Sequence, residues 1–142
     1  LPQARLAIAA ASAVISRTTL NATLEYVKER KVFGSRVADF QNTRFELANA
    51  LMNTELSELY VARAIAAFNA GELTAEDAAK AKVFASEKAC TITDRCLQLF
   101  GGYGYINEHP VAQAFLAARL LPIFGGTNEL LRDSIGFDLL AE

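Results

Sequence analysis

The chain has 142 residues, of which 52% are hydrophobic, and a formal net charge of −2, enough for one compact domain with its own core. Its charges are interspersed, so no basic face points to nucleic acid or to an anionic membrane surface. No segment approaches the ~20 consecutive apolar residues of a membrane span.

Leu1-Pro2-Gln3 runs straight into helical patterning with no signal-type stretch, and the first residue is not Met. The expectation is a domain cut from a longer polypeptide. A first helix is predicted from Pro2, a residue suited to a first turn, to about Arg30. Leu6, Ala10, Ala13, Leu20 and Leu24 form one apolar stripe, and Ile8, Ile15, Ala22 and Tyr26 a second on roughly the opposite side. A helix apolar on two faces has more than one layer to pack against. Arg17 falls within the first stripe and so requires a carboxylate, a carbonyl or a solvent-filled gap.

Phe33-Gly34 ends that segment, and Gly34 to Phe40 reads as a short connection. A second helix is predicted from Gln41 to Ala70, with Ala48, Met52, Leu56, Leu59, Ala62 and Ala66 on one face and Gly71 as its stop. Thr74, followed by Glu76 and Asp77, caps a third helix. Ala78, Ala81, Ala85, Ala89, Ile92, Cys96 and Leu99 share one side of it, small enough for close helix approach. Gly101 to Tyr105 breaks the pattern, and a loop follows to His109. Pro110 starts a shorter helix to about Leu121, which Pro122 ends. Thr127, after Gly125-Gly126, caps a last helix running toward Leu140. Strand patterning is nearly absent. Short joints between long helices favour antiparallel neighbours. The predicted fold is all-α: one domain over residues 1–142, an up-and-down four-helix bundle with a short additional C-terminal helix.

The usual catalytic groups are scarce. His109 is the only histidine and precedes Pro110, so it reads as a loop or cap residue, and one histidine does not assemble a metal site. The serines have no base or elbow motif beside them. Glu55 and Glu58 read as an exposed acidic patch. Cys90 and Cys96 lie six apart on one helix, which suits two reduced, partly buried thiols and, weakly, a cytosolic setting. Gly101-Gly102-Tyr103-Gly104 lacks the strand–turn–helix context of a dinucleotide fingerprint. Thr127 after two glycines is either a simple cap or a cluster of free N–H groups facing an anionic or polar ligand.

Three segments change this reading when taken in order. Tyr26-Val27-Lys28-Glu29-Arg30-Lys31-Val32-Phe33-Gly34 with Phe40-Gln41, then Gln98-Leu99-Phe100-Gly101-Gly102-Tyr103-Gly104-Tyr105, then Ile123-Phe124-Gly125-Gly126-Thr127-Asn128-Glu129, resemble three motifs of the acyl-CoA dehydrogenase family. The resemblance covers essentially the whole chain and looks closest to the long-chain type. It implies the family's C-terminal helical domain, which follows an N-terminal helical and a middle β-domain in the family.

By that resemblance Arg30 contacts the FAD pyrophosphate, Phe33 packs near the adenosine portion and Gln41 adds polar contacts. Gln98, Gly101 and Gly102 form a close-approach loop, and Thr127 and Glu129 match positions near the adenine and phosphate end. For Arg30 taken alone, a surface ion pair with Glu25 or Glu29 is the competing assignment, and for Gln41 and Gln98 it is capping or solvent exposure. FAD in the family is shared between subunits, so a homo- or hetero-oligomer is implied, a tetramer built as a dimer of dimers above all. The implied substrate is an acyl-CoA, desaturated between its α and β carbons, with electron-transfer flavoprotein as acceptor. The implied compartment is the cytoplasm, or the mitochondrial matrix of a eukaryote.

The family's base is a Glu in one of two places. One is immediately before Gly-Thr in the third motif, where this chain has Gly125. The other, in some long-chain and branched-chain members, is just before Arg5, where it has Ala4. Neither residue accepts a proton. At Leu116-Ala117-Ala118-Arg119, moreover, only Arg119 remains of a common Arg-Asp arrangement. The expectations are an isolated domain without activity and with poor FAD affinity, a partner-dependent subunit, or a flavin monooxygenase or oxidase on the same scaffold.

Overall fold

The structure, a computed structural model, describes residues 1–141. Helix α1 spans Pro2–Glu29, with Pro2 in its first turn and no breaker inside; it ends at Arg30, whose extended backbone still donates its N–H to the Tyr26 carbonyl. The connection contains an antiparallel hairpin, β1 (Lys31–Val32) and β2 (Ser35–Arg36), with Lys31 opposite Arg36. A single 3₁₀ turn, Val37–Asp39, leads into α2 (Gln41–Asn69). Helix α3 spans Ala75–Phe100, and Thr74 caps it by accepting from the Asp77 N–H. A one-turn helix α4 (Gly102–Tyr105) interrupts what reads as loop in the sequence, and α5 (Pro110–Leu120) and α6 (Asn128–Leu140) complete the chain. Helices α1, α2, α3 and α5 form the bundle, and α6, at 13 residues no shorter than the 11-residue α5, is the additional C-terminal helix.

Helix α3 is the axis, packing against α1, α2, α5 and α6. Its buried Ala81 and Ala85 meet Leu6, Ala9 and Ala13 of α1 and Val61 and Ala64 of α2. Ile92 and Cys96 meet Leu20 and Ala50, while Ala89 joins Ile8, Ala118 and Leu121. The face predicted for α3 is the buried one.

The predicted stripes of α1 need correction. Ala22 is exposed, whereas Ser12, Ser16, Thr19 and Thr23 are buried. Ser12, Ser16 and Thr23 donate to the carbonyls of Ile8, Ser12 and Thr19 on their own helix, at 2.7–2.9 Å. A hydroxyl satisfied four residues back carries little polarity to its surroundings and is small enough for close helix contact.

The face predicted for α2 is overturned. Ala48, Met52, Leu56, Leu59, Ala62 and Ala66 all point to solvent, and the buried face is Thr43, Ala50, Thr54, Ser57, Val61 and Ala64. Close approach to α1 and α3 selects the small side of α2, not the more apolar one. Glu58 also departs from the expected acidic patch: it accepts two 2.7 Å hydrogen bonds from Arg17, the carboxylate that Arg17 requires. That pair ties α1 to α2.

Candidate functional site

Two places carry the motif residues. The first is a cavity of about 510 Å³ where the end of α1, the hairpin and the α3–α4 corner meet. Tyr26 stacks on Phe100 with ring centroids 4.2 Å apart and donates its hydroxyl to the Phe100 carbonyl. His109 also packs edge-on against Phe100, ring centroids 4.9 Å apart, while its Nδ1 caps α5 by accepting from the Val111 N–H. This aromatic stack fixes the corner so that Gly101 can turn.

Arg30, Gln98, Gly101 and Gly102 all line that cavity. Among the described residues no carboxylate pairs with Arg30, neither Glu25 nor Glu29; its guanidinium lies 5.3 Å from the centre of the Tyr103 ring. A cation against an aromatic face keeps its donor edges available for an anion. Gly102 has helical backbone, and a β-carbon there would meet nothing within 4 Å. This domain's own packing therefore does not ask for glycine at that position.

Phe33 and Gln41 stand apart from the cavity lining. Gln41 opens α2 with its side chain exposed. Phe33 and Gly34 are the central pair of the hairpin turn, with φ of +52° and +78°. Two positive φ values are what a two-residue primed turn needs, and its twist matches the strands. Phenylalanine pays on the order of 1–3 kcal/mol for that backbone, and its ring is 98% exposed. Neither the strain nor the exposed ring of Phe33 is compensated by packing among the described residues.

The second place is the joint between α5 and α6. Gly125 and Gly126 both take left-handed backbone, φ +71° and +91°. Arg5, on α1, donates from Nε to the Gly125 carbonyl at 3.2 Å. A β-carbon on Gly125 would stand 2.4 Å from Cδ1 of Ile8, one helical turn after Ala4. The joint thus packs against the first two turns of α1, the helix that also carries position 4. Thr127 caps α6 by accepting from the Leu130 N–H, and Glu129 lies exposed in its first turn. Neither reaches the first cavity, so the eight nucleotide-side candidates do not form one cluster on this chain.

Beneath the joint is a polar group that the sequence reading missed. Lys82 is fully buried and donates to the Gly126 carbonyl at 2.9 Å and to Oδ1 of Asn128 at 2.8 Å. Asn128, also buried, donates from Nδ2 to Ser86 Oγ and Glu87 Oε1, and Arg132 grips the same Glu87 carboxylate from α6. Burial pushes the Lys82 ammonium below the ordinary lysine range, and the charge of Arg5 pushes the same way. The Arg132 guanidinium holds the Glu87 carboxyl below the usual carboxylate range. A lysine amid alanines on the inner side of α3 was the available sequence signal.

Other polar groups are quieter. Cys90 and Cys96 are free thiols, both raised by burial, and Cys90 donates to the Ala118 carbonyl. Arg119 is exposed near the end of α5. Among the described residues no three His, Cys, Asp or Glu side chains come together, and no helix is long and apolar enough to cross a membrane.

Residues 1–140 match the family model described as acyl-CoA dehydrogenase, C-terminal domain. The chain is 35% identical over 142 residues to the mitochondrial long-chain specific acyl-CoA dehydrogenase of Rattus norvegicus, covering all of this chain and 33% of the rat protein. It superposes on an acyl-CoA dehydrogenase of Geobacillus kaustophilus with a TM-score of 0.94 at 33% identity, covering 97% of this chain and 36% of that one. A chain in the structure of the electron transferring flavoprotein of Acidaminococcus fermentans gives a TM-score of 0.93 at 34% identity, over 97% of this chain and 36% of the other. The chain thus spans about one third of the length of the relatives it matches.

Proposed function

The chain belongs to the acyl-CoA dehydrogenase family and corresponds to its C-terminal domain, and on that premise we propose that it is the FAD-contacting and assembly-forming domain of a longer acyl-CoA dehydrogenase whose proton-abstracting glutamate is missing. The whole enzyme's reaction is α,β-desaturation of an acyl-CoA thioester. The likeness to a chain from the Acidaminococcus structure supports an electron-transfer flavoprotein as acceptor.

The residues present fit a flavin nucleotide. Arg30, with no carboxylate against it among the described residues, offers a permanent charge and a planar donor edge to a pyrophosphate. Gln98 and the unobstructed Gly101-Gly102 backbone allow close approach, and Phe33 presents its ring for stacking. Thr127 and Glu129 stand at the head of α6, on the joint side. FAD, when bound, supplies the hydride acceptor. The outward apolar face of α2 (Phe45, Met52, Leu56 and Leu59, each more than half exposed) supports burial against further copies of the chain.

What supports the reading of a missing base is that the two positions where the resemblance expects a glutamate hold Ala4 and Gly125, on segments that touch through Arg5 and Ile8. The two are not equivalent as repair sites. Ala4 is exposed on α1 in unstrained backbone, whereas Gly125→Glu meets left-handed φ and the Ile8 side chain. In the FAD-loaded oligomer, Ala4→Glu is expected to give substrate-dependent flavin bleaching and Gly125→Glu to give none. Absence of bleaching in Ala4→Glu, with FAD and acyl-CoA both bound, would sink the reading. So would bleaching by the unsubstituted oligomer, which would mean that a partner chain supplies the acid.

A further inference from the structure

We propose that Lys82 is a positioning residue that sets the Gly125–Thr127 joint against α1 and α3, and thereby places the α6 cap for its cofactor contact. The inference rests on the functional reading above for the cofactor, but its geometry stands without it.

Three ties hold the joint, each from a different element. Arg5 of α1 takes the Gly125 carbonyl, Lys82 of α3 takes the Gly126 carbonyl, and the Asn128 N–H closes back on the Pro122 carbonyl at 3.0 Å. Two consecutive left-handed glycines give this segment little conformational preference of its own. Direction must come from outside, and among the described residues only the Lys82 side chain bonds both the joint and the first residue of α6.

Stability alone does not account for a lysine here. Burying an ammonium is costly, and its direct partners are a carbonyl and an amide oxygen, not a carboxylate. Apolar residues of similar shape at both positions would fill the same volume without that cost. What they could not do is hold the Gly126 carbonyl at a fixed point. The charge is tolerable because Asn128 passes its own donors on to Ser86 and Glu87, so the chain of polar contacts ends on a carboxylate.

The test uses the complete FAD-binding protein that contains this chain, with Lys82→Met and the double variant Lys82→Met/Asn128→Leu. Thermal midpoint, FAD dissociation constant and amide exchange over residues 123–131 are read on each. The midpoint is expected to fall in the single variant and to return in the double variant. FAD affinity is expected to be about tenfold weaker in both, and exchange over the joint about tenfold faster in both, with α1 and α3 protected as before. Recovery of FAD affinity and exchange together with the midpoint would overturn the proposal, because Lys82 would then be structural only. A double variant that fails to fold would overturn it for the same reason. If the unsubstituted protein binds no FAD, the functional reading fails by itself. The exchange measurement still decides on Lys82, with unchanged protection at the joint counting against it.

Discussion

Helices α2 and α3 are similar in length and both rich in apolar residues, yet they solve opposite problems. Helix α3 turns its alanines inward on several sides and is the axis of the bundle. Helix α2 turns threonine, serine and small residues inward and leaves phenylalanine, methionine and leucine outside. Apolar periodicity marks a face that wants cover, but it does not say which body provides the cover. For α3 it is this domain; for the outer face of α2, nothing among the described residues does so.

The sharpest way to break that contrast is at the outer face of α2. Leu56→Glu combined with Leu59→Lys is expected to leave helicity intact while abolishing assembly, as seen by sedimentation, with FAD lost alongside. Fully burying a leucine side chain contributes about 1.5–3 kcal/mol, and the substitutions would place charges where that burial occurs. An unchanged association state would show that the face is ordinary surface. The inner axis should respond the other way. Ile92→Ala, in the cluster with Leu20, Ala50 and Cys96, is expected to cost about 2–5 kcal/mol in denaturant unfolding while subunits still associate. A loss well under 1 kcal/mol would deny α3 its central place.

The smallest effect is expected at the Arg17–Glu58 bridge joining α1 to α2. Both side chains are about one third exposed, so solvent screening limits the pair to below about 1 kcal/mol. Its signature is in pH. The hydrogen bonds from Arg17 hold the Glu58 carboxyl below the usual range. The stabilisation is therefore present above the unfolded glutamate value and lost as pH falls through the lower folded one. Arg17→Met should flatten that part of the acid limb by removing the small stabilisation at neutral pH, and leave stability below the folded value nearly unchanged. Lys82 has a limb of the same sign, set by a cation in place of a carboxylate. Its folded value lies below the unfolded one, so folding gains stability as pH rises through the interval between them.

Much of this was legible beforehand because it rests on local chemistry. Pro2, Thr74, Pro110 and Thr127 mark helix starts by backbone geometry and capping alone, and each start holds. The motif residues Arg30, Gln98, Gly101 and Gly102 do converge. The inner face of α2 was not legible, since buried hydroxyls such as Ser57, bonded to the Asn53 carbonyl, look polar in sequence. The hairpin was missed because two-residue strands have no periodicity to detect. Lys82 was missed because a lone cation on an alanine face reads as solvent-facing until its partners, 44 and 46 residues away, are brought to it.

The left-handed backbone at Gly125 also bears on how this chain can change. Alanine and glycine codons can each become a glutamate codon by one base, so mutation offers an acid at position 4 and at position 125 on equal terms. The fold does not. Position 4 lies in relaxed helix, and a replacement there can be selected on the strength of its chemistry alone. Position 125 adds two costs, a left-handed backbone that only glycine adopts freely and an Ile8 side chain that has to swing aside. A lineage carrying this chain has two genetic routes to a carboxylate but one unstrained route, and that route runs through the first turn of α1.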